Sequence, residues 1–145
     1  MKRFSSLLLV VFALCTAAYA QTVVQKATAD FGLMGNWAYN CSVAAGVNGN
    51  ARSTISAQGD VVIQHIEFGA DRQPNEYKWI AAERIDAGHL RVTTVIGDET
   101  LELVIRKLDD GRMQTVSSVT SSGKVLIKDG LFSSGEPAPT RERCQ

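Results

Sequence analysis

The chain reads as all-β: an antiparallel, eight-stranded up-and-down barrel with a short N-terminal helical turn ahead of it. From Gly35 onward, short segments rich in β-branched and aromatic residues follow one another, and clusters of Gly, Asp and Ser separate them at nearly even intervals. Within the clearest segments apolar and polar residues alternate, the period of a sheet with one face on a core.

Residues 1–20 have the make-up of a secretory signal peptide. Lys2 and Arg3 supply the positive start, and Phe4 to Leu14 form an apolar stretch too short to span a bilayer. Ala18-Tyr19-Ala20 places small residues at the two positions a signal peptidase must accept, which predicts cleavage before Gln21. Cys15 follows an apolar run, as in a lipoprotein, but Leu14 is bulky where lipoprotein processing wants a small residue. No later segment is long and apolar enough to read as an integral membrane helix. The expected organisation is a signal peptide over residues 1–20, an arm or short helix over 21–34, and a single barrel domain over 35–145.

The full chain balances 15 Lys and Arg against 15 Asp and Glu. Loss of Lys2 and Arg3 with the signal, and of no acid, leaves the mature domain slightly negative. Such a domain lacks the basic footprint that nucleic acid or an anionic membrane surface selects, so neither is an expected partner. Cys15 leaves with the signal, and Cys41 and Cys144 remain. In an oxidising compartment they can form one intramolecular bridge that closes nearly the whole domain. The alternative is two free or intermolecular thiols. A catalytic thiol is disfavoured, because no arrangement around either cysteine supplies a base.

Within Thr22 to Phe31, Val23, Val24, Ala27 and Phe31 recur at helical spacing, so this arm is expected to pack against or plug one barrel end. Eight strand segments follow: Asn36 to Ser42, Ala51 to Ala57, Val61 to Phe68, Glu76 to Ile85, Leu90 to Ile96, Thr100 to Leu108, Met113 to Val119 and Lys124 to Leu131. Gln58-Gly59-Asp60, Asp86-Ala87-Gly88, Gly97-Asp98, Asp109-Asp110-Gly111 and Ser121-Ser122-Gly123 supply the tight turns, which make consecutive strands antiparallel neighbours. Closure into a barrel removes the exposed edges an open meander would leave. The longer connections, Val43 to Asn50 and Gly69 to Asn75, read as open loops. Pro137-Ala138-Pro139 reads as an extended C-terminal arm that the prolines keep out of strand pairing and the bridge holds against the first strand.

Leu90, Val92, Thr94 and Ile96 share one face of a strand, as do Leu101, Leu103 and Ile105 of the next, with His89, Arg91, Thr93, Glu102 and Arg106 opposite. Tyr77 and Trp79 are expected to share a face with Ala81. Phe68, Tyr77, Trp79, Leu90 and Leu103 are the candidate interior residues, either ordinary core or the wall of a ligand pocket. A ligand-holding barrel needs a cavity near ~300 Å³ or more, whereas an interaction module can have a filled core.

No nucleophile elbow, phosphate loop or zinc-helix motif is present, so neither an enzymatic role nor a cofactor or metal is expected. His65-Ile66-Glu67 places two polar side chains on one strand face, but the downstream cysteine pair of zinc deaminases is missing, and an outward polar stripe accounts for them. His89 reads as a solvated turn residue. Asn40-Cys41-Ser42 matches a glycosylation acceptor, with its Asn in an expected strand and its Cys expected to be bridged.

Gly35-Asn36-Trp37, opening the first strand after a helical turn, resembles the calycin superfamily, which includes the lipocalins. That likeness implies that Trp37 plugs one barrel end and that Arg141 or Arg143 packs a cation across its ring. It implies a binding module for a small apolar or amphipathic ligand. The same plan resembles small periplasmic protease inhibitors built on a lipocalin-like barrel, whose N-terminal arm, here Gln21 to Met34, enters a protease cleft. The apolar spacing of this arm and the long reach from Cys41 to Cys144 fit that second likeness less well. An envelope protein is then the alternative partner. The likeness to small exported proteins of Gram-negative bacteria implies a periplasmic or secreted location.

Export through an oxidising compartment should yield a mature protein whose intact mass fits a chain starting at Gln21, two hydrogens lighter than its reduced form. A mass retaining residues 1–20, or a diacylglycerol adduct at Cys15, would refute the assigned cleavage.

Overall fold

The computed structural model describes residues 21–145; the signal-peptide reading of residues 1–20 lies outside the described residues. One helix, α1 (Val23–Phe31), is followed by ten strands: β1 (Gly35–Ala38), β2 (Arg52–Gln58), β3 (Val61–Glu67), β4 (Asn75–Arg84), β5 (His89–Ile96), β6 (Glu99–Lys107), β7 (Met113–Thr120), β8 (Val125–Lys128), β9 (Leu131–Phe132) and β10 (Thr140–Cys144). All pairings are antiparallel. β10 bonds both β1 and β7, so β1 to β7 and β10 close into an eight-stranded up-and-down barrel.

The eighth wall strand is therefore not the segment Lys124 to Leu131 that the turn pattern predicts. Asp129 and Gly130 both adopt positive φ and break that segment into a β8–β9 hairpin hanging from the far half of β7, outside the ring. The vacated place goes to β10, expected to be an unpaired arm. Pro137 and Pro139 lie ahead of β10 rather than within it, so they remove no ladder donor from it. The first strand also ends earlier than expected. Asn50 takes the Asn40 N–H at 2.9 Å and donates to the carbonyls of Asn40 (3.1 Å) and Val43 (2.7 Å), which turns the chain away from the ladder.

The inward faces of β5 and β6 meet as the alternation predicts: Leu90 lies opposite Ile105, Val92 opposite Leu103 and Thr94 opposite Leu101. On β4 the expectation needs correction. A bulge between Trp79 and Ala81 inserts Ile80, so that Ala82 follows Trp79 on the inward face and Ala81 turns to solvent.

Helix α1 closes the barrel end where β1 begins. Thr22 caps it, its N–H donating to Gln25 Oε1 at 3.1 Å and its hydroxyl accepting from Gln25 N–H at 3.5 Å. The same Gln25 side chain, buried, donates Nε2 to the carbonyls of Gly59 (3.0 Å) and Val61 (3.1 Å), tying the helix to the β2–β3 turn. Val24 and Phe31 join a core with Leu33, Trp37, Val62, Trp79, Leu90 and Val92, whereas Val23 is 82 % exposed. Burying Val24 and Phe31 contributes about 1.5–3 kcal/mol each, which fixes the arm on the barrel.

Cys41 and Cys144 form a disulfide across 103 positions. A loop of that size stabilises the fold by about 4.7 kcal/mol in the chain-entropy account. Replacing both cysteines by serine should lower unfolding free energy by about 2–5 kcal/mol, read as an earlier urea midpoint. An unchanged midpoint would show that β10 holds its place through its ladders alone.

Candidate functional site

Trp37 and Arg143 form the closed end of the barrel wall. Trp37 and Arg143 are register partners of β1 and β10; Trp37 is buried, and Arg143 covers its side of the ladder at the solvent-exposed end. The Arg143 guanidinium lies 5.6 Å from the Trp37 ring centroid and donates to the carbonyls of Gly32 (2.9 Å) and Met34 (2.8 Å). Trp37 Nε1 donates to the Leu33 carbonyl at 2.8 Å. Gly35 has φ of 121°, a backbone conformation that favours glycine, and a Cβ there would stand 3.2 Å from Arg143 Nη2, which would have to shift by a few tenths of an ångström. Of the two arginines considered for this place, Arg143 occupies it. Arg141, two residues earlier, lies over Tyr39 instead, 5.8 Å from its ring centroid.

Above this floor the barrel is hollow. A cavity of about 230 Å³ is lined by Leu33, Trp37 and Trp79 beneath, by Leu101, Leu103 and Ile105 of β6, and by Tyr39, Ser53, Gln64 and Tyr77 on the opposite walls. Ile127 of β8 and Phe132 of β9 close its flank, together with Ala138, Pro139 and Arg141. β7 bonds β10 only at Met113 and Gln114, and the β8–β9 hairpin covers the remainder of that side. Gln114 holds the segment before β10 by donating Nε2 to the Ala138 carbonyl at 2.9 Å.

Tyr77, Trp79 and Leu103, three of the five candidate interior residues, line this cavity. Leu90 is fully buried in the core and does not line the cavity, although its register partner Ile105 does. Phe68 lies outside the lining, after β3, with the Arg72 guanidinium 4.0 Å from its ring centroid. Gln64 and Ser53 were not anticipated from sequence, and Arg141, expected as a cation over Trp37, lines the cavity instead. Gln64 donates to Ser53 Oγ at 3.1 Å inside the barrel; the period-two pattern of β2 and β3 carried the signal, since Ser53 alternates with Ile55 and Gln64 with Val62 and Ile66.

The open end is shaped by the two long connections, which are packed rather than loose. A Cβ on Gly46 would stand 2.7 Å from the Phe68 carbonyl oxygen and 2.8 Å from Gly69 Cα, so the two loops touch backbone to backbone. Arg52 adds bonds to the carbonyls of Val43 (3.1 Å) and Cys41 (2.6 Å). Tyr39, Val47, Ile96, Val125 and Phe132 are exposed apolar residues of the loops and strand ends on this side.

His65 and Glu67 lie on the outer face of β3, with His65 Nε2 3.8 Å from Glu67 Oε1 and Nδ1 4.0 Å from Glu76 Oε2. No group of three or more metal-ligating side chains occurs among the described residues. His89 contacts Asp86 at 3.0 Å in the β4–β5 turn; this contact, then the Gly88 N–H, holds the Asp86 carboxyl below its ordinary range. The Arg112 N–H and then its guanidinium do the same to Asp110. A wider crevice beside α1, lined by Lys107, Asp110, Arg112 and Arg143, is open to solvent, and its Arg112 and Asp110 are paired at 2.7 Å.

Comparison with protein-family models, curated proteins and solved structures finds no match to this chain. The geometry alone therefore carries the functional reading.

Substituting Arg143→Met keeps an apolar stem over Trp37 but removes the cation and both carbonyl bonds. The expected cost is about 1–3 kcal/mol in chemical unfolding, with the near-ultraviolet dichroism of the tryptophans altered. No change in either would mean that Trp37 is held by packing alone.

Proposed function

We propose that this chain is an exported, lipocalin-like binding module that holds a small amphipathic molecule in the upper half of its barrel. The observation that supports this most is the cavity of about 230 Å³, apolar on most walls and polar at a few points. Ligand pockets combine these features, with an apolar lining for affinity and isolated polar groups for orientation. The volume lies below the ~300–1,000 Å³ of drug-sized sites, and at about 30 Å³ per water it equals the share of about eight water molecules. The occupant is accordingly small.

Gly35, Trp37 and Arg143, placed after a short helix, support the lipocalin-like assignment. The Cys41–Cys144 bridge is of the kind found in oxidising compartments, which supports a periplasmic or secreted location together with the residues 1–20 reading. Catalysis is not part of the proposal. A protein-binding role is the second reading, favoured by the exposed Tyr39, Val47, Ile96, Val125 and Phe132. Of its two forms, the protease-inhibitor one has less support, because α1 is packed into the barrel end where an inhibitory arm would have to stay free.

Native mass spectrometry of the oxidised protein tests the first reading. A retained small molecule, lost on denaturation and absent from Leu103→Trp, which fills the cavity, is the expected result. A bare mass with no uptake of an environment-sensitive apolar dye would overturn it and transfer attention to the exposed apolar side chains.

A further inference from the structure

We infer that the molecule held in the barrel is an amphipathic anion whose head group is bound by Arg141. This rests on the ligand-holding reading above and narrows it to a ligand class. Arg141 is the register partner of Met113, a buried core residue, and shares a face of β10 with Arg143. The two arginines differ in how they are satisfied. Arg143 donates to two backbone carbonyls, whereas the Nε of Arg141 is buried and has no acceptor among the described residues. Arg141 joins none of the ion pairs among the described residues either.

The cavity supplies no counter-ion of its own, since its lining contains no Asp, Glu or further Lys or Arg. A guanidinium half-sunk in an apolar wall is costly unless an anion meets it, and its planar fork matches a carboxylate in two parallel bonds. A second buried donor points the same way. Trp79 Nε1 has no acceptor among the described residues, and Trp79 lines the same cavity from β4, four strands from β10 around a ring of eight. The unpaired groups on both walls are donors, so the complementary ligand brings acceptors. Between them Leu101, Leu103 and Ile105 offer an aliphatic wall for its body. A small carboxylic acid with an alkyl body meets these requirements; its alcohol analogue fills the same space without the charge.

Octanoate and octan-1-ol are the test probes, titrated against the oxidised protein by calorimetry or tryptophan fluorescence at neutral pH. Octanoate should bind at least about tenfold more tightly, the worth of a charge-assisted hydrogen bond. Arg141→Met should bring the ratio of the two affinities to about one, and an unchanged far-ultraviolet dichroism shows that the variant is folded. Arg141→Lys should keep part of the preference. Equal affinity of the wild-type protein for both probes would overturn the anion assignment and leave the ligand-holding reading standing. Binding of neither would overturn both.

Discussion

The position of β10 is the constraint on which the remainder of the structure depends. Without it β1 and β7 would be open edges, and a seven-stranded meander would have no enclosed interior. β10 bonds β1 over Asn36 to Ala38 and β7 at Met113 and Gln114. The Cys41–Cys144 bond, backed by the Cys41 N–H donating to Glu142 Oε1 at 2.6 Å, secures this last strand to the first. A terminal strand of five residues is a place where fraying is expected, and a covalent tie counters it.

Closure by β10 also sets where the chemistry of the barrel lies. Its residues on the Trp37 side are both arginines, and each meets an aromatic residue of the first strand segment: Arg143 with Trp37 of β1, and Arg141 with Tyr39 just after it. The lower pair is satisfied by the carbonyls of the α1–β1 connection and belongs to the closed floor. The upper pair faces the hollow half. The same two-residue step along the strand, one pleat, therefore separates a structural cation from a cation available to a ligand.

Much of the architecture was legible in the sequence. The alternation of Leu90, Val92 and Thr94 against Leu101, Leu103 and Ile105 predicted two half-buried neighbours, and the register observed is the one that keeps both sets inward. The glycine and aspartate turns predicted antiparallel order. Three features were not legible, each because a long-range contact overrides a local pattern. Ile80 lies in an apolar run that looks regular, and the bulge that expels it appears only in the pairing of β4 with β5. Gln25 looks like a surface residue of an amphipathic helix, yet its amide both caps that helix and bonds the β2–β3 turn. Lys124 to Leu131 has strand composition, but the Asp129-Gly130 turn and the competing claim of β10 on β7 exclude it from the wall.

For the candidate site the division is similar. Tyr77, Trp79 and Leu103 were identifiable as inward residues from period and size and line the cavity. Leu90 is inward too but belongs to the packed core outside the lining, and Phe68 alone lies elsewhere. Period tells which face a side chain is on, and height along the barrel depends on tilt and stagger, which belong to the closed sheet. By itself, then, the sequence determined the antiparallel succession of β1 to β7, the inward faces of β5 and β6, the helical arm and the pair of cysteines able to bridge, because these follow from local chemistry and spacing. The tertiary structure alone decided that β10 completes the wall, that the interior is filled at one end and hollow at the other, and that Arg141 points into the hollow. Each of these depends on which distant residues share a space, and no local pattern encodes that.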